Sequence, residues 1–118
     1  MIEIKCAETT VALAECERLG LSLCTVYTMT DRGERLGLAC AKGDGEETNV
    51  LYVEVCDAAL TDALFRAVLN AERAKGAKTA EISDSFLVAH AQKRNYDVDT
   101  VTKRLNIADF FAKSVCKD

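Results

Sequence analysis

The chain has 118 residues, of which 49% are apolar and 29% charged, with a formal charge of −4, so it has room for one hydrophobic core and sits far from the composition of disordered chains. The acidic balance offers no source for the non-specific phosphate attraction that supplies most nucleic-acid affinity, and DNA or RNA partners are not expected. No apolar run approaches the length that crosses a bilayer, and Met1-Ile2-Glu3-Ile4-Lys5 lacks the basic lead and apolar stretch of an export signal, so a cytoplasmic location without membrane contact is expected.

Residues 2–7 alternate Ile2, Ile4 and Cys6 with Glu3 and Lys5, the period-two pattern of a strand. Thr9 or Thr10 can then cap a helix in which Leu13, Cys16 and Leu19 share a face, with Gly20 as its stop. Residues 21–29 and 36–42 are apolar and flank Asp31-Arg32-Gly33-Glu34, which predicts a hairpin. A polar loop from Gly43 to Asn49 leads to Val50–Val55, an almost continuous apolar run interrupted by Glu54, as in a strand covered on both faces.

The clearest helix signal follows. Leu60, Ala63, Leu64, Ala67, Val68, Ala71 and Ala74 form one stripe opposite Asp62, Arg66, Asn70 and Arg73, and Gly76 closes it. Ala77–Ser83 reads as a strand, Asp84–Asn95 as a helix and Asp97–Asn106 as a last strand. Residues 106–118 form a helical tail in which Ile107, Phe110, Phe111 and Val115 stand at helical spacing, so that it docks on the body or on a partner. The expected fold class is α/β with a single layer of mixed sheet flanked by helices. Its order is β-α-β-β-β-α-β-α-β in one domain spanning residues 1–118.

The six cysteines include no C-x-x-C pair and there is one histidine, His90, so the spacing fits no metal site. Most of the thiols read as small apolar fillers, with Cys116 near the charged end exposed. Proline is absent, which leaves turns to Gly, Asp and Asn.

An ungapped match backward from Gly76 gives Cys56-Asp57-Ala58-Ala59-Leu60-Thr61-Asp62-Ala63-Leu64 ahead of the long helix. With the element order, this segment resembles the GNAT acetyltransferase superfamily over residues 2–106, whose signature there is R-x-x-G-x-G/A. The resemblance implies a cradle for the pyrophosphate of acetyl-CoA built from the backbone amides of Ala58, Ala59, Leu60, Thr61 and Asp62 at a helix N-terminus. Leu60, Ala63 and Leu64 fit its packing positions, Cys56 stands for the signature arginine, and Ala59 and Thr61 stand for its small residues. Asp57 and Asp62 oppose an anion at that helix end, by about 0.3–1 kcal/mol each, and Asp57 reads as a helix cap.

The family's second signature, N-x-x-A-x-x-x-Y-x-x-x-G-F, falls on Asp84, Leu87, Ala91, Asn95 and Tyr96. Tyr96 matches the closing aromatic, while Ala91 occupies the place of the tyrosine acid and His90 is turned about 100° from it. Glu54, in an apolar strand beside the implied cleft, is the candidate general base toward an amine, against a plain pairing with Lys or Arg. A single short helix where the family builds its acceptor site from two implies a truncated acceptor pocket.

Three readings follow. The chain is a degenerate GNAT-like binding or structural module with weak or no acyl-CoA binding, in which apolar surface including Phe110-Phe111 is covered by a second copy or another protein. Or it is an acetyl-CoA-dependent N-acetyltransferase of a small or protein amine. Or it is an unrelated small regulatory domain that shares only the element order. A gap between the fourth and fifth strands supports the GNAT likeness, whereas unbroken pairing there favours the unrelated domain.

Overall fold

A computed structural model describes residues 1–115, with side chains to residue 112. Cys116 and the Val115 side chain therefore lie outside the described residues. The strands are β1 (Ile2–Cys6), β2 (Thr25–Asp31), β3 (Glu34–Asp44), β4 (Glu47–Val55), β5 (Thr79–Ile82) and β6 (Arg104–Asn106). The helices are α1 (Thr9–Leu19), α2 (Thr61–Ala74), α3 (Ser85–Lys93) and α4 (Ile107–Val115), and a 3-10 turn at Ala58–Leu60 precedes α2. All six strands form one mixed sheet in sequence order. Every neighbouring pair is antiparallel except β4 and β5, which are parallel and joined through α2.

The expected element order holds, and the departures have local causes. The β2–β3 hairpin turns on Arg32 and Gly33, both at positive φ (53° and 83°), the two-residue geometry that matches strand twist and that glycine adopts without strain. The loop expected from Gly43 to Asn49 is instead the continuation of β3 and β4 as a paired ladder, Lys42↔Asn49 to Asp44↔Glu47. Lys42, Asp44 and Glu46 there are exposed while Thr48 is buried, and the backbone groups bond across the strands. The strand expected from Asp97 pairs only at Arg104–Asn106. Ahead of it the Asp99 carboxylate accepts from the Val101 and Thr102 amides (2.8 and 2.9 Å) and so holds a turn in place of a ladder.

Helix α1 begins at Thr9 after Glu8 with no side-chain cap, so neither Thr9 nor Thr10 caps it, while Gly20 ends it in the left-handed conformation (φ 69°) as glycine permits. Its inner face is Ala12, Cys16 and Leu19; Leu13, one residue off that row, is 49% exposed.

The inner face of α2 is rotated in the same way. Thr61, Leu64, Phe65, Val68, Leu69 and Glu72 are buried, whereas Ala63 and Ala74 of the expected stripe are exposed. Phe65 and Leu69 remove far more apolar area from water than alanines do, and that area sets the helix rotation.

Two clusters result. The larger joins Leu64, Phe65, Val68 and Leu69 of α2 to Met29, Val50, Val53 and Ile82 of the sheet, Leu87 of α3, and Ile107 and Phe110 of α4, with Phe111 packed on its edge. The tail helix thus docks on the body. The smaller puts Ala12 and Cys16 of α1 against Val26, Leu38 and Cys40. The filler reading holds for Cys16 and Cys40, but Cys24 is half-buried and Cys6 and Cys56 are exposed.

Candidate functional site

Strands β4 and β5 pair from Glu47↔Thr79 to Val50↔Ile82, and a last rung runs from the Ser83 amide to the Val50 carbonyl (2.9 Å). Beyond it β4 continues to Val55 while the chain after Ile82 turns into α3, so the two strands part halfway along β4. Against β3 the register skips Leu51 between Val50↔Ala41 and Tyr52↔Cys40, a bulge of the kind that re-aims side chains beside functional sites. In the gap Asp84 intervenes: its Oδ2 accepts from the Val53 amide (3.1 Å) and its Oδ1 from the Leu87 amide (3.0 Å). One carboxylate therefore caps α3 and takes a backbone donor of the free edge of β4.

The five amides proposed as an anion cradle follow β4 directly. Asp57 Oδ1 accepts from the Ala59 amide (3.0 Å), the Leu60 amide donates to the Asp57 carbonyl (2.9 Å), and the Thr61 amide donates to the Ala58 carbonyl. Asp57 is therefore a cap, as its position suggested. Three of the five donors are engaged within the turn. Thr61 is fully buried and its Oγ1 has no hydrogen-bond partner, a cost that an isosteric apolar side chain removes. Thr61→Val is expected to raise unfolding stability by about 1 kcal/mol, read as a higher urea midpoint; a lower midpoint would show that the hydroxyl has a partner.

Asp62, one residue on, is the hub of a cluster between α2 and α3. Its Oδ2 accepts from Arg66 Nε (2.6 Å) and lies 3.7 Å from an Arg94 nitrogen, and its Oδ1 is bonded to His90 Nε2 (3.2 Å) and accepts from the Tyr96 hydroxyl. Burial alone would raise the Asp62 pKa, but donation from Tyr96, Arg66 and His90 outweighs it and holds the carboxyl at about 2. The carboxylate at the start of α2 is thus neutralised by its own neighbours. The Tyr96 ring packs near Phe65 (6.3 Å) and edge-on to Phe110 (4.9 Å), which fits the closing aromatic of the resemblance. His90 is drawn to Asp62, with its side chain 16% exposed. The Asp62–Arg66 spacing of four residues was visible in the sequence, but His90, Arg94 and Tyr96 reach Asp62 only through the packing of α3 on α2.

Glu54 lies near the end of β4, on the α1 side. Its Oε1 accepts from the Tyr52 hydroxyl (2.8 Å) and from Arg18 of α1 (3.0 Å). Arg18 also donates to Glu15 (2.7 Å), which accepts from Arg35 of β3 (2.6 Å). The bond to Glu54, followed by burial, pushes the Tyr52 hydroxyl up, and Arg35 and Arg18 hold Glu15 below the usual carboxylate range. A proton taken from an amine would go to a carboxylate whose Oε1 already accepts from a guanidinium, which weakens it as a base. A shallow cavity of about 240 Å³ lined by Arg35, Leu36, Gly37, Glu54, Val55 and Cys56 opens beside it. Between β1 and β2 the described chain has one helix, α1, followed by the irregular residues 20–24.

Among the described residues, no group of three or more His, Cys, Asp or Glu is arranged to hold a metal ion, and no helix is long and apolar enough to cross a membrane. The sequence matches no protein-family profile and no curated protein. In structure it is similar to the ribosomal-protein-S18-alanine N-acetyltransferase of Escherichia coli, with a TM-score of 0.65 at 16% identity over 91% of this chain and 94% of the other. It is similar also to a GNAT family acetyltransferase of Elizabethkingia anophelis with acetyl-CoA bound, with a TM-score of 0.61 at 16% identity over 80% and 74% of the two chains. An acetyltransferase of Bacillus subtilis in complex with CoA aligns with a TM-score of 0.54 at 16% identity over 85% and 79%. The chain has the fold of the GNAT acetyltransferases.

Proposed function

We propose that this chain is a degenerate GNAT-fold module that acts by contact with other protein surfaces and binds acyl-CoA weakly or not at all. The observation that carries this reading is the engagement of the candidate cradle by the chain itself. The Ala59, Leu60 and Thr61 amides donate within their own turn, and the Val53 amide in the gap donates to Asp84. A diphosphate needs those donors free and a cation nearby; Cys56 stands where the resemblance implies arginine, Asp57 adds negative charge, and Arg66 and Arg94 are already engaged by Asp62. The residues present do not fit the cofactor. Ile2 on β1, Val11 and Leu13 on α1 and Leu23 after it are exposed apolar side chains on separate faces, any of which a second copy or another protein can cover.

The parting of β4 from β5 supports the GNAT likeness against the unrelated domain and is common to a second reading, an N-acetyltransferase that uses the amides of Ala58 to Asp62 and Glu54 as base. Thermal denaturation with millimolar acetyl-CoA and, separately, CoA decides between the two. A ligand at 100 times its Kd adds about 2.7 kcal/mol of stability. No change in melting temperature and no CoA release over a panel of amines is the expected result; a rise of several degrees, or turnover, overturns the module reading. Light scattering on the same sample is expected to show a dimer or partner-dependent association.

A further inference from the structure

We propose that Cys16 and Cys24 form an oxidative modification site, a dithiol that closes to an intramolecular disulfide in the presence of a low-molecular-weight disulfide. Their sulfurs lie 3.5 Å apart, one thiol donating to the other, although one residue is on α1 and the other in the irregular segment before β2. A disulfide requires about 2 Å between sulfurs, so closure needs an approach on the order of 1.5 Å. Cys24, outside any regular element, can supply this by rotating its side chain.

Access is provided on one side only. Cys16 is 3% exposed, whereas Cys24 lines a cavity of about 410 Å³ whose wall includes Cys6, Thr9, Leu23 and Lys42. Cys24 is therefore the attacking thiol and Cys16 the resolving one. The Cys24 thiolate attacks one sulfur of the small disulfide, forming a mixed disulfide and releasing one small thiolate. The Cys16 thiolate then attacks the Cys24 sulfur, forms the protein disulfide and releases the second. Two electrons pass from the protein to the small disulfide, and the protons of Cys16 and Cys24 pass to the two released thiolates.

Burial, and after it the hydrogen bond with Cys16 in which the Cys24 thiol donates, pushes the Cys24 thiol up to about 11, among Cys16, Cys40 and Lys42. Cys24 is therefore protonated at neutral pH and slow to attack, and it stays reduced until an oxidant is in excess. Cys16 sits on the helix whose Glu15 and Arg18 hold Arg35 and Glu54, so closure tethers the segment before β2 to the element that positions the Glu54 ladder.

The test treats the folded full chain, at low concentration, with excess oxidised glutathione, followed by thiol counting and peptide mapping. The expected peptide map bridges Cys16 to Cys24 with the loss of two hydrogen atoms, and places any glutathione adducts on other thiols such as the exposed Cys6 and Cys56. Cys40→Ala is expected to close in the same way, and Cys16→Ala to stop at a glutathione adduct on Cys24. Retention of all six thiols, a bridge between other cysteines or one between chains overturns the proposal. The peptide map of the unmutated chain distinguishes these outcomes even if a variant fails to fold.

Discussion

Glu72→Ala is expected to lower the unfolding free energy by about 3 kcal/mol, in keeping with removing a buried charged acceptor and leaving its buried donors unpaired. Glu72 is 2% exposed in the last full turn of α2. Its carboxylate accepts from the Tyr27 hydroxyl, from Thr48 Oγ1 (2.7 Å) and from Lys75 Nζ (2.9 Å), and so ties α2 to β2 and β4 through hydroxyls that are themselves buried. Truncation leaves both hydroxyls without an acceptor in a dry site. Burial, with the bond to Glu72, already holds the Tyr27 hydroxyl up at about 12, so it cannot relieve the loss by ionising.

Urea denaturation reads the effect as a midpoint lowered by roughly 1–3 M. Glu72→Gln, which keeps an acceptor oxygen, is expected to fall between the two proteins. Burial would raise the Glu72 pKa, but Tyr27, Thr48 and Lys75 together hold it below its ordinary 4.5. Its contribution is therefore complete above that value and declines as the pH falls through the lower folded one. A loss under about 1 kcal/mol would mean that water replaces the carboxylate.

Asp62→Asn is the second large effect, a loss of about 2 kcal/mol at neutral pH. The carboxylate is 20% exposed, gathers Arg66, His90, Arg94 and the Tyr96 hydroxyl, and its pKa drops from 3.8 to about 2 on folding. A depressed folded value means stability that is present above 3.8 and lost as the pH falls toward 2, where the folded carboxylate is itself protonated. Urea midpoints of the two proteins should thus differ most near neutrality and converge between about pH 4 and pH 2. A gap that stays constant over that range would show that the asparagine acts through packing and not through charge.

The sheet was legible because its signals are local. Alternation in β1, the Arg32-Gly33 turn and the Gly20 stop each depend on a few adjacent residues. The rotation of α2 was not, since a stripe that counts Ala63 and Ala74 equally with Leu64 ignores that Phe65 and Leu69 bring the area that orients a helix. The burial of Glu72 was not legible for a related reason: its partners Tyr27 and Thr48 stand 45 and 24 residues away. At the candidate site the Asp57 cap was legible because donor and acceptor are two residues apart. The pairing of Glu54 with Arg18 spans 36 residues, that of Asp62 with His90 28, and that of Val53 with Asp84 31. No period or spacing rule reports such pairs; only the strand position of Glu54 hinted that a cation would find it.

The skipped residue at Leu51 divides β4 into two frames. Thr48 and Val50 before it and Val53 after it turn toward α2, while Glu54 turns toward α1, a succession that strict alternation cannot give. A slip by one residue downstream of Leu51 would exchange the faces, driving Glu54 in among Leu64 and Phe65 and leaving Arg18 with an aliphatic neighbour. The length of this strand is therefore locked on both sides of Leu51, and any insertion tolerated here belongs in the turn at Gly45 and Glu46 or after Val55.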